Sequence, residues 1–252
     1  MTFEHPAPEQ IRQLLQLWKD VFGDWNGFWE TFLETGFSPE RCRCITEGGQ
    51  VTAALTWLDC SCDGQKLAYI YAVVTHPAHR GKGLCRRLME DTHSLLRERS
   101  YAAALLVPAE EPLRRMYEGF GYRTCTHVSG FDCEAAASPV ALRALGAEEF
   151  LRLRRVFLPE SAVIQEGANL AFLSRQAQFY TGDGFLLAAY GGEESITAME
   201  LLGRKEAAPG IVRALGAKKG SFRCPGEEIP FAMIYPLVTD AALPRYFGFA
   251  FD

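Results

Sequence analysis

The residues best placed to do chemistry lie in one stretch. An apolar run, Tyr69-Ile70-Tyr71-Ala72-Val73-Val74-Thr75, meets His76-Pro77 and then Arg80-Gly81-Lys82-Gly83, ahead of an amphipathic segment that opens at Leu84. Glycines let a backbone approach a ligand closely, and the first amides of a helix have no internal acceptors. Those donors, at the positive end of the helix dipole, suit an anion such as a pyrophosphate. Arg80, Lys82, Arg86 and Arg87 add positive charge there, in a chain of net charge −5. An ordinary helix start with solvated bases accounts for the same pattern, so the loop alone leaves both readings open. A P-loop does not fit: the first glycine lies too close to Lys82, and no Ser or Thr follows that lysine.

Two other sets of residues invite a metal. Cys42/Cys44 and Cys60/Cys62 are C-x-C pairs, whose side chains share one face of a strand. The first pair opens a strand that turns back at Glu47-Gly48-Gly49-Gln50, and the second lies beyond the far end of its hairpin partner. The pairs therefore should not face each other, and the cysteines are read as reduced and structural, with no metal site. His76 and His79 sit in the glycine loop, where structural or phosphate-side roles outweigh ligation. Cys85 could be activated at a helix start, but its place is at the phosphate end of the loop.

The elements that must position this loop follow from periodicity. Residues 8–22 carry apolar positions at a 3.6-residue spacing, and 25–33 form a second amphipathic stretch. Three β-prone runs, 41–46, 51–59 and 67–75, are separated by Gly-Gly and Asp-Gly linkers, which predicts an antiparallel meander. A helix at 84–99, an apolar strand at 102–107, a helix at 111–119 and a last strand from 122 to about 133 complete the set. A Pro/Ala/Ser patch at 134–139 reads as a linker. Beyond it the order restarts with helices at 147–157 and about 169–180, then strand pairs. The hairpin at 45–55 resembles that at 189–201, which suggests a tandem duplication.

With 48% hydrophobic and 23% charged residues over 252 positions, the composition is that of a globular protein. An acidic balance without a basic cluster argues against nucleic acid. No apolar run reaches the roughly 18 residues of a membrane span, and no secretion signal opens the chain, so a cytoplasmic location without membrane association is expected.

The motif Arg80-Gly81-Lys82-Gly83-Leu84-Cys85, after Val73-Val74-Thr75-His76-Pro77, resembles the Arg/Gln-x-x-Gly-x-Gly/Ala signature of the Gcn5-related N-acetyltransferases; only Cys85 departs. Met116-Tyr117-Glu118-Gly119-Phe120-Gly121-Tyr122 resembles that family's second motif, in the right order. The resemblance implies an α+β fold with a mixed, mostly antiparallel sheet flanked by helices, here in two tandem copies. Residues 1–134 would be the catalytic copy binding acetyl-CoA. Residues 135–252 lack the glycine motif and would be a degenerate copy, shaping the acceptor pocket or a dimer interface, which leaves a homo-oligomer open.

The implied reaction is direct attack of a small-molecule or peptide amine on the thioester. Val73, Val74 and Thr75 would pair with the pantetheine arm, and Arg80, Gly81, Lys82, Gly83, Leu84, Cys85 and Arg86 would hold the pyrophosphate. Val74 would offer the amide that polarises the carbonyl, and Tyr117 would be the general acid. By likeness to tandem relatives, Asp252 would take the amine proton, with water as the alternative. Mild acidity fits a cationic acceptor such as an aminoglycoside or polyamine, while protein amines stay open. The rival reading is an acyl-CoA sensor without catalysis.

Overall fold

Pro8 sits in the first turn of the opening helix, where a missing amide costs nothing. The helix buries Leu14, Leu17 and Trp18, the apolar face that its periodicity predicts. The structure, a computed structural model, describes residues 1–250. Its first half runs β1 (Thr2–Glu4), α1 (Pro8–Phe22), α2 (Phe28–Thr35), β2 (Cys42–Glu47), β3 (Gln50–Cys62), β4 (Gln65–Thr75), α3 (Leu84–Glu98), β5 (Ala103–Leu106) and α4 (Glu111–Glu118). Two short strands follow, β6 (Arg123–Thr124) and β7 (His127–Glu134). The second half is β8 (Arg143–Leu145), α5 (Ala147–Phe157), β9 (Ile164–Gln165), α6 (Gly167–Gln176), β10 (Gln178–Gly182), β11 (Phe185–Gly191) and β12 (Ser195–Gly203). It ends with α7 (Ala208–Ala214), β13 (Lys219–Pro225), β14 (Ile229–Pro230) and β15 (Met233–Pro236).

The two sheets have matching orders. One is β1-β2-β3-β4-β5-β15-β6, with β9 pairing on β3; the other is β8-β10-β11-β12-β13-β7-β14. In each, the meander is antiparallel and one parallel contact follows, β4 with β5 and β12 with β13. The chain is thus an α+β protein of two tandem copies. Each copy sends one strand into the other's sheet: β7 pairs with β13, and β15 inserts between β5 and β6.

This exchange corrects the expected single strand over 122–133. The chain breaks at Cys125-Thr126, whose amides both bond to the Ala232 carbonyl, and crosses from one sheet to the other. The matching orders also move the internal repeat. The β3–β4 turn corresponds to the β11–β12 turn, so the likeness between 45–55 and 189–201 compares non-equivalent hairpins. A second difference is that 178–182 is a strand, not the end of a helix: α6 stops at Gln176, and Phe179 and Thr181 pair into the β10–β11 ladder.

The core is shared between the halves. Phe28 and Phe32 of α2 pack on Phe172 of α6, with ring centroids 5.3 and 4.9 Å apart. Inside the first copy, His93 of α3 stacks at 4.1 Å on Tyr235 of the exchanged β15 and hydrogen-bonds the Tyr122 hydroxyl at 2.7 Å. Burial, and the nearby Arg97 charge, lower its pKa from 6.5 to about 4. The unfolded chain therefore binds the extra proton first. Stability held above about pH 6.5 should fall progressively towards pH 4, by about 3 kcal/mol from this group at 1.36 kcal/mol per unit. His93→Phe should flatten the pH dependence of urea unfolding between those values; an unchanged slope would contradict this role.

Candidate active site

The glycine loop takes the form its sequence demands. A short 3-10 turn, Pro77–His79, is capped by the His76 ring nitrogen, which accepts from the Ala78 amide at 3.2 Å. Gly81 and Gly83 then lie at φ +75° and +73°, in the left-handed region, with open space where a Cβ would point. Arg80, Lys82, Arg86 and Arg87 are exposed, and α3 starts directly after Gly83. Arg86 is not free to reach an anion with its side chain: its guanidinium donates to the Gly119 carbonyl at 2.8 Å and lies 4.5 Å over the Phe120 ring. Arg80 donates to the Thr75 carbonyl at 3.3 Å. Cys85 is partly buried, and burial pushes its thiol up to about 11, so the helix start does not activate it.

The strand before the loop is opened on one side. β4 pairs with β5 only from Leu67 to Tyr69; beyond that the two strands diverge. On its other side β4 carries a bulge: Tyr71 faces Thr56 and Val74 faces Ala54, so Ala72 and Val73 together oppose Leu55. Ala72 is held at φ +51°, with its carbonyl accepting from the Trp18 indole at 3.3 Å.

The amide directions follow from one hydrogen bond. His76 donates to the Thr52 carbonyl at 2.9 Å, so its amide faces β3. Amides two residues apart on a strand point the same way. Val74 therefore also turns its amide to β3, while Val73 and Thr75 turn theirs to the open edge. Val74, expected from the resemblance to polarise a bound carbonyl, is paired with Ala54 of β3, and its side chain is buried.

The open edge leads into a cavity of about 1000 Å³. Ile70 to Val73 of β4 line it on one side, and Leu106 to Ala109 after β5 on another. Tyr117 of α4 lies against it, 6% exposed, and burial, reinforced by the neighbouring Cys85, raises its phenol well above the ordinary value. It stays protonated at any physiological pH. Further walls come from Trp25, Phe28 and Trp29 around the start of α2, and from β7, β12 and β13 of the second sheet.

Sequence reasoning missed these outer walls. Trp25 was read as opening the helical stretch 25–33, but α2 starts only at Phe28, and nothing local marked the ring as a cavity wall. Asp132 and Arg223 reach the cavity only because β7 and β13 are neighbours across the strand exchange.

The chain's last described turn also converges here. Arg223 donates to the Gly248 and Ala250 carbonyls at 3.1 Å, and Phe247 packs edge-on against Tyr69 at 5.0 Å. Asp252 lies outside the described residues. In the second copy, the place of the glycine loop is occupied differently. Pro209 stands in the first turn of α7, the Ala136 and Val140 amides bond to the Pro209 and Gly210 carbonyls, and Val140 packs on Gly210.

The cysteine pairs are buried in the core. Burial raises Cys44 and Cys62 to about 12, and Cys42 and Cys60 are raised likewise. Among the described residues no group of three or more His, Cys, Asp or Glu is placed to hold a metal ion. No described helix is long and apolar enough to cross a membrane.

A tandem α+β fold thus brings together a bulged, splayed strand, a glycine loop and a buried tyrosine. Residues 3–125 match the family model described as an acetyltransferase (GNAT) domain. The first copy therefore belongs to the GNAT superfamily.

Solved structures agree on the fold. A GCN5-related N-acetyltransferase from Anabaena variabilis is 16% identical with a TM-score of 0.72, over 94% of this chain and 73% of that one. One from Kribbella flavida is 18% identical with a TM-score of 0.68, over 92% and 70%. A tandem GNAT protein from the clavulanic acid biosynthesis pathway is 13% identical with a TM-score of 0.57, over 95% and 99%. No protein of curated function matches.

Proposed function

We propose that the chain transfers an acetyl group from acetyl-CoA to a primary amine, with the coenzyme held by the first copy alone. The observation that carries this reading is the open β4 edge, which runs from a cavity containing Tyr117 to a loop of two left-handed glycines. Val73 and Thr75 have backbone groups to pair with an extended pantetheine arm, in the manner of an added strand. The loop amides from Gly81 to Arg86 would hold the pyrophosphate, with open space beside Gly81 and Gly83. Arg80 and Lys82 supply charge, Leu84 and Cys85 supply backbone only, and so does Arg86.

Bound acetyl-CoA would supply the thioester. Val73 offers its amide to the thioester oxygen as negative charge develops there. A neutral amine nitrogen forms the new bond to the carbonyl carbon as the carbon–sulfur bond breaks. Tyr117 gives its phenolic proton to the departing sulfur, and is reprotonated from water. The amine nitrogen loses one proton, for which Asp252 is the proposed acceptor, with water as the alternative. The second copy contributes walls and not a coenzyme site, in keeping with the linker seated on α7.

The sensor reading has an acceptor cleft that is closed or lacks chemistry; the open cavity speaks against the first form, and turnover by Tyr117 variants tests the second.

Thermal denaturation with ligands tests the coenzyme site. Acetyl-CoA and free CoA should both stabilise the protein, by about 2.7 kcal/mol at 100 times Kd, and ATP should not. Gly83→Ala forces a Cβ into the left-handed region at a strain of roughly 1–2 kcal/mol and shifts the loop amides. It should raise the acetyl-CoA KM about 10-fold while leaving the fold intact by circular dichroism. No stabilisation by either CoA species would remove the proposal.

A further inference from the structure

The acceptor's class is written in the cavity wall, and not in the net charge of the chain. Among the described residues that line the cavity, Asp132 and Arg223 are the ones that carry charge at neutral pH. Arg223 is committed to the Gly248 and Ala250 carbonyls and lies 4.5 Å over the Phe231 ring. That leaves Asp132 as the lining carboxylate, exposed and accepting from the Ser221 hydroxyl at 2.5 Å.

Most of the remaining wall is aromatic or aliphatic. Near the mouth, three large apolar side chains stand in water: Trp25 at 61% exposure, Tyr190 at 50% and Ile229 at 47%. They come from three separate parts of the chain, the gap before α2, the end of β11 and β14, and all border the same cavity. Leaving such surface wet is unfavourable, and a bound apolar body would cover it. The wall behind Trp25 is fixed by ring contacts: Trp25 meets Phe28 edge-on at 6.1 Å, and Phe28 meets Trp29 at 5.1 Å.

A polyamine or an aminoglycoside brings several ammonium groups. In this cavity one would face Asp132, and the others would lose water without a partner, which weakens binding. We propose, on the basis of the acetyl-transfer reading above, that the acceptor is a small monoamine on an aromatic or aliphatic body. The apolar body lies between Trp25, Tyr190 and Ile229, and Asp132 attracts the single ammonium before it gives up its proton. The chain's mild acidity, which suggested a polycation, reflects charges that lie outside this cavity.

Calorimetric titration of amines into the protein saturated with free CoA tests this without needing turnover. 2-Phenylethylamine should bind at least 10-fold more tightly than spermidine or kanamycin. Trp25→Ala should weaken 2-phenylethylamine about 10-fold and leave CoA binding unchanged, since the exposed ring supports little of the core. Asp132→Asn should reduce the preference for 2-phenylethylamine over its neutral analogue 2-phenylethanol by about 5-fold or more. Tighter binding of spermidine or kanamycin, or no effect of Trp25→Ala, would overturn the proposal. The acetyl-transfer reading fails separately: with acetyl-CoA in place of CoA, a bound amine that releases no thiol would remove that reading and leave the class of ligand standing.

Discussion

Tyr117→Phe is expected to lower kcat for thiol release by about 100-fold or more, within the 10²–10⁴-fold range of general acid catalysis. The acetyl-CoA KM should stay within about 2-fold, because the lost hydroxyl contacts the departing sulfur and not the phosphates. The physical basis is burial. A phenol 6% exposed beside Cys85 is held in its protonated form, so it is a donor throughout the working pH range. A thiolate leaving into an apolar cavity without a proton would be a poorly solvated anion, which is why the loss is large. The folded fraction should be unaffected, since the ring remains to pack edge-on against Phe120 at 5.9 Å. Steady-state kinetics with acetyl-CoA and a saturating amine decide it. A fall in kcat of less than 5-fold would mean that water protonates the sulfur and that Tyr117 only packs.

The second large effect concerns stability, and its site lies in the second copy. Arg154 of α5 forms two hydrogen bonds to Glu200 of β12, at 2.6 and 2.9 Å, with both side chains 1% exposed. Tyr246 lies beside them, its phenol pushed up by burial and by the Glu200 charge, and the guanidinium sits 5.6 Å from the Phe249 ring. Glu200→Gln keeps the shape but leaves the Arg154 charge buried with no countercharge. Breaking such a pair costs about 3–5 kcal/mol. For a chain of this length that corresponds to a Tm lower by roughly 6–20 °C. Replacing both partners by apolar residues, Arg154→Met with Glu200→Leu, should recover most of the loss, because no charge is then stranded. Thermal unfolding of the single and double variants measures this. Singles that lose less than 1 kcal/mol would mean that water reaches the pair.

The effect bears on function through position. The pair underlies the segment that packs Phe247 on Tyr69, so a loosened pair should also free the Gly248 and Ala250 backbone that Arg223 holds. Asp252 follows that segment directly.

What the sequence disclosed was what is local. The form of the loop from Arg80 to Arg86 was legible because a glycine at positive φ and a helix start write themselves into a few adjacent residues, whereas Tyr117 was singled out only by the likeness of its motif to the family's. The three-strand meander was legible for the same reason, through Gly48-Gly49 and Asp63-Gly64. The amide directions on β4 were not. They depend on a bulge at Ala72-Val73, set by register against β3 and by the Trp18 indole, and neither partner is near in sequence. The strand exchange was hidden for a stronger reason. β7 and β15 are ordinary β-prone segments, and nothing in either says which of two similar sheets it joins. The repeat was visible, but Gly-Gly hairpins are common enough that the matching turn was taken from the wrong pair of strands. The outer cavity walls were hidden last of all, since Trp25 and Asp132 line one cavity from distant parts of the chain.

The central claim is that one acetyl group leaves acetyl-CoA and arrives on an amine at this cavity. Mass spectrometry of 2-phenylethylamine incubated with the protein and acetyl-CoA tests it most directly. The account predicts a product heavier by one acetyl group, formed in step with free CoA, lost with Gly83→Ala at low acetyl-CoA and slowed about 100-fold with Tyr117→Phe. If acetyl-CoA binds and neither this amine nor spermidine, kanamycin or a lysine peptide gains an acetyl group, the account is contradicted, and the cavity belongs to a protein that binds acyl-CoA without transferring its acyl group.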